Sequence, residues 1–92
     1  MDFTNFFGGQ LNIQEVTLEV YIGSALVERQ LLSMPQFALE QQFKQLMAQI
    51  MDDERPMKIR YVKDEPIYDE MNNYVRTLQK YVEYENKILS SK

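Results

Sequence analysis

The side chains of this sequence best suited to chemistry are carboxylates, gathered as Asp52-Asp53-Glu54 and as Asp64-Glu65 with Asp69-Glu70. Such oxygens can collect Mg²⁺ or Ca²⁺, but the spacing is not that of an EF-hand loop, and acids at element boundaries are ordinarily solvated. No metal site is predicted. Histidine and cysteine are both absent. That removes the imidazole base near neutral pH, the Ser-His and Cys-His pairs, the thiolate nucleophile and the softer metal ligands. Glycines 8, 9 and 23 match neither a phosphate-cradling loop nor a dinucleotide fingerprint. The expectation is a chain that is not an enzyme and holds no cofactor.

The cations offer a thinner alternative. Lys58, Arg60 and Lys63 are interleaved with apolar residues and, with Tyr21 and Tyr61, would suit a nucleic-acid-binding sheet face. Against this, fourteen acids and ten bases give a net charge of −4, which disfavours attraction to phosphate or to anionic lipid. The acids also concentrate in the front of the chain: residues 1–55 carry eight acids and three bases, residues 56–92 six acids and seven bases. Nucleic acid is therefore the second reading and another protein the first.

Large apolar side chains are the remaining means of recognition. Phe3, Phe6 and Phe7 precede a Gly8-Gly9 hinge and either join the core or anchor a partner. No window is apolar enough to span a membrane and the first residues lack a secretory pattern, so a cytoplasmic protein is expected.

The elements that would position these residues follow from periodicity. Glu15 to Leu32 alternates around Gly23-Ser24, the turn of a β-hairpin with glycine supplying positive φ. Pairing Ile22 with Ala25, Val20 with Val27, Leu18 with Arg29 and Val16 with Leu31 segregates apolar from polar faces. Residues 25–33 also fit helical spacing. Ser33 is placed to cap a helix whose buried stripe is Leu39, Phe43, Leu46, Met47 and Ile50, ending before Pro56. Met57 to Lys63 alternates as a third strand, with Met57, Ile59 and Tyr61 inward and Lys58 and Arg60 outward beside Glu15 and Glu19. After Asp64-Glu65-Pro66, residues 67–89 read as a long amphipathic helix with Ile67, Met71, Tyr74, Val75, Leu78, Tyr81, Val82, Ile88 and Leu89 on one side.

One α+β domain over residues 1–92 is expected, of ββαβα order: a two-layer sandwich in which a three-stranded antiparallel sheet (order 2-1-3) carries two helices on one face. Its parts are a Phe-rich arm (1–10), the hairpin, helix and third strand (11–66), and the long C-terminal helix (67–92). The expected role is a small acidic protein-interaction domain, an adaptor, inhibitor or accessory factor of bacterial or phage type. It would form a homodimer through the C-terminal helix. Partner contacts are assigned to Phe3, Phe6, Phe7, Met71, Tyr74, Val75, Leu78, Tyr81, Val82 and Tyr84, because the apolar surface exceeds what three strands cover.

Overall fold

The structure, a computed structural model, describes residues 3–7 and 13–86. A one-turn helix α1 (Phe3–Phe7) is followed by β1 (Ile13–Ile22), β2 (Ala25–Pro35), α2 (Gln36–Met51), β3 (Met57–Tyr68) and β4 (Tyr74–Glu85). The four strands form one antiparallel sheet of order β2-β1-β3-β4.

The fourth strand overturns the expected C-terminal helix. The chain continues extended through Pro66 to Tyr68, turns at Asp69–Asn73 and returns as β4. Tyr74 to Glu85 is rich in tyrosine, valine and threonine, side chains that fit a pleated surface, whereas Asn72-Asn73 would weaken a helix interior. Proline is tolerated in β3 because β1 pairs with it only as far as Val62, so no ladder hydrogen bond to β1 is lost at Pro66. Among the described residues the sheet therefore has four strands, not three, and carries one full helix and one single turn rather than two full helices. Ile88 and Leu89, assigned to the same helix, lie outside the described residues, as does the Gly8-Gly9 hinge.

The hairpin forms with Gly23 at φ 61°, and Gly23 N–H donates to the Pro56 carbonyl at 2.7 Å. Residues 25–33 are strand, not helix. The pairing of Ile22 with Ala25 is observed, but a bulge opposite Val20 and Tyr21 leaves Val27 as the extra residue. Beyond it Val20 faces Glu28, Leu18 faces Gln30 and Val16 faces Leu32. A one-residue slip exchanges the two faces. Leu32 consequently enters the core and Leu31 is left 74% exposed.

The core lies between one sheet face and α2. Leu39, Phe43 and Ile50 of the helix are buried against Val16, Leu18, Ile59 and Tyr61. Leu46 and Met47 pack at its margin. Ser33 belongs to β2 and gives no side-chain cap; Pro35 occupies the N-cap position. The Tyr61 hydroxyl donates to the Leu39 carbonyl at 2.9 Å and lies against Gln42 Oε1, tying helix to sheet. Burial raises its pKa above the ordinary tyrosine value.

The N-terminal phenylalanines complete this layer. Phe6 and Phe7 are buried, and Phe3 packs edge-on against Phe43 at 5.4 Å. Asn86, also buried, closes the end of β4: its Oδ1 accepts from Met57 N–H, and its Nδ2 donates to the carbonyls of Ile50 and Arg55.

Candidate interaction surface

The face of the sheet away from α2 is a charged ladder. Glu19, Arg60 and Glu83 stand side by side on β1, β3 and β4. The Arg60 guanidinium lies 4.0 Å from Glu19 and 3.9 Å from Glu83, with its carbon 4.3 Å from the centre of the Tyr81 ring. Lys58 reaches Glu83 at 3.8 Å and sits 4.8 Å from the Tyr21 ring, while the Tyr21 hydroxyl donates to Glu19 at 2.9 Å. Of the three cations considered for nucleic-acid binding, Lys58 and Arg60 are thus engaged by carboxylates and rings, and Lys63 donates to Gln14 Oε1 at 2.9 Å.

Within the acidic clusters Asp53, Glu65 and Asp69 are engaged locally. Asp53 accepts three hydrogen bonds from Arg55, which hold its carboxyl down to about 2. Glu65 pairs with Lys80 at 2.7 Å. Asp69 Oδ1 accepts from the backbone N–H groups of Met71 and Asn73. Among the described residues no group of three or more potential metal ligands gathers. No helix among them is long and apolar enough to cross a membrane.

Where β1 and β3 part, a shallow groove of about 570 Å³ opens between the two hairpins, lined in part by Ile13, Glu15, Arg29, Leu31, Lys63 and Asp64. Its lining mixes both charge signs with single apolar residues and selects no ligand.

Beyond the groove, β3 and β4 continue alone. Six residues of β3 past its last pairing with β1, Lys63 to Tyr68, carry the hairpin roughly 20 Å outward at 3.3 Å per residue. The chain accordingly measures 51 × 25 × 21 Å, with a radius of gyration of 14.9 Å, against about 12 Å for a compact chain of this length.

This arm ends in a built turn rather than a slack one. Besides the two Asp69 side-chain bonds, Asn72 N–H donates to the Asp69 carbonyl at 2.9 Å and Asp69 N–H to the Asn73 carbonyl at 3.0 Å. Asn72 adopts φ 64°, a left-handed conformation that asparagine tolerates.

The residues assigned to partner contact are distributed unevenly. Met71, Tyr74, Val75 and Leu78 come together on the arm, all exposed, with Tyr68 and the half-buried Ile67 beside them. Tyr81 is exposed on the ladder face. Val82 is buried, Tyr84 packs against the core, and Phe3, Phe6 and Phe7 belong to the α1 layer. Tyr68 went unnoticed in the sequence, although a tyrosine flanked by Pro66 and the Asp69–Asn73 turn is the available signal.

Comparison with known protein families, curated proteins and solved structures gives no match. The geometry of the chain is thus the ground for a functional reading.

Proposed function

We propose that this chain is a non-enzymatic protein-interaction domain whose contact element is the β3–β4 arm. The supporting observation is the distribution of large apolar side chains: among the described residues twelve are buried in the core and twelve others stand exposed. Four of the exposed ones, Tyr68, Met71, Tyr74 and Val75, cluster at the end of the arm. Two-stranded hairpins are marginal in water without a covered face. An ordered turn presenting Met71 at 82% exposure on such a hairpin is suited to insertion into a partner's cleft.

The partner in this reading is a different protein. The expected route to a homodimer was the C-terminal helix, and β4 stands in its place. The sheet edges are also poor sites for self-pairing. β2 carries a bulge and ends in Pro35, and β4 is bulged at its arm end, where Val75 is the extra residue opposite Ile67 and Tyr68 of β3. A chain without cysteine suits a reducing, cytoplasmic setting.

The test is a photo-crosslinking residue placed at Met71, with the exposed Gln45 of α2 as the control position. Irradiation in extract of the source cells should join the Met71 variant to another protein that the Gln45 variant does not capture. Identical patterns from the two positions, or none from Met71, refute the reading.

A further inference from the structure

The rim of β4 has a chemistry more specific than apolar exposure. Asn86 N–H donates to the Met57 carbonyl at 3.1 Å, so Met57 turns its backbone groups toward β4, whereas Pro56, which accepts from Gly23, turns toward β1. Successive residues of an antiparallel strand alternate between their two neighbours. The unbroken register from Lys58 with Glu85 to Ile67 with Arg76 carries that alternation up the arm. Leu78, Lys80 and Val82 therefore direct their backbone groups to β3. Thr77, Gln79 and Tyr81 direct theirs to the far side, where no strand stands among the described residues. All three are exposed, and their N–H and C=O groups line an open rim.

Exposed strand edges are ordinarily guarded by bulges, prolines or charges. The other rims of this sheet follow that rule. β2 runs straight only between the bulge at Val27 and Pro35. On the side of the arm that β1 leaves unpaired, Pro66 holds a rim position and has no N–H to donate. From Arg76 to Glu85, by contrast, β4 has no proline, glycine or bulge. Its charges are drawn back from the rim over β3: Lys80 reaches Glu65 at 2.7 Å, and Glu83 turns to Lys58 and Arg60. The Tyr81 ring is likewise held beside the Arg60 guanidinium. We propose that the rim of β4 from Arg76 to Glu83 accepts an extended strand of another protein through main-chain hydrogen bonds.

The assignment rests on the arm being the contact element and adds the form of its occupant. Side chains of an added strand alternate between the two faces of the sheet. On the face that carries α2 they lie beside Leu78 and Val82, and on the outer face beside Gln79 and Tyr81. The fitting strand is thus apolar at every second residue and polar between. A second copy fits worse. Two-fold antiparallel pairing of the straight stretch carries each arm end beyond the sheet of the other copy, so that the exposed Met71 and Tyr74 stay uncovered.

The probe is a peptide of alternating valine and threonine with a lysine at each end, titrated into the full chain and followed by amide hydrogen exchange in NMR spectra. Without peptide, the N–H groups of Thr77, Gln79 and Tyr81 should exchange about tenfold or more faster than those of Leu78, Lys80 and Val82. Saturating peptide should slow the first three about tenfold or more and leave the second three unchanged. Gln79→Pro removes a rim donor and no hydrogen bond to β3, so it should keep the fold and abolish the protection. The same peptide N-methylated at alternate residues should protect nothing in the native chain. Equal protection of both sets, protection that appears in the chain alone as its concentration rises, or no protection at all would overturn the proposal. A Met71 crosslink that persists in the Gln79→Pro variant leaves arm docking standing and refutes strand addition alone.

Discussion

The two halves of β3 experience opposite surroundings. From Met57 to Val62 the strand lies between β1 and β4 under α2, and Met57, Ile59 and Tyr61 are buried. From Lys63 to Tyr68 it pairs with β4 alone, and no residue is buried. The same period-two alternation runs through both, so alternation does not decide burial; what stacks on the strand does. The first half gains a helix and an aromatic layer. The second half gains only a well-made turn, and its apolar side chains remain on offer.

This contrast can be tested by substitution, beginning with the covered half. Phe43 touches both Phe3 and Tyr61 and is fully buried. Phe43→Ala should lower unfolding free energy by about 3–5 kcal/mol in urea titration. A loss near zero would show that the base of the sheet is not the cooperative core.

Tyr61→Phe should cost about 1 kcal/mol through loss of the hydroxyl's bond to Leu39. It also carries a pH signature. The folded pKa is raised, so the stabilisation is complete below the unfolded value of about 10 and is lost as pH rises beyond it. The urea midpoint should therefore fall above pH 10, and less steeply in the Tyr61→Phe variant. Equal slopes would mean that Tyr61 ionises as easily folded as unfolded.

The smallest effect is expected on the arm. Tyr68→Ser with Val75→Thr should change stability by no more than about 0.5 kcal/mol per site while abolishing crosslinking from Met71. A destabilisation well above 1 kcal/mol would show that the arm belongs to the cooperative fold, and the distinction between the two halves would collapse.

Legibility in the sequence followed the same division. The first hairpin turn, α2 and its buried stripe, and the inward set of β3 were readable because each has a strong period and a stop signal: Gly23, Pro56 or the apolar run itself. The hairpin register was not readable. The bulge that moves Leu31 out and Leu32 in depends on which face α2 covers. Residues 67–85 misled because their apolar spacing suits a helix face as well as two short strands, and β3 supplies the hydrogen bonds that decide between them. Of the residues assigned to partner contact, Met71, Tyr74, Val75, Leu78 and Tyr81 are exposed, but on a turn and a strand and not along a helix.

By itself the sequence determined an α+β chain without histidine or cysteine, with one amphipathic helix, a glycine-turned hairpin and more large apolar residues than its core can hold. Tertiary structure alone decided which of those residues are spare. Phe6 and Phe7 fill the layer beside α2 that a second long helix would otherwise have occupied, and β4 pairs with β3 past the end of β1. Burial is a property of neighbours distant in sequence. Local periodicity can mark a side chain as apolar without saying whether anything will cover it.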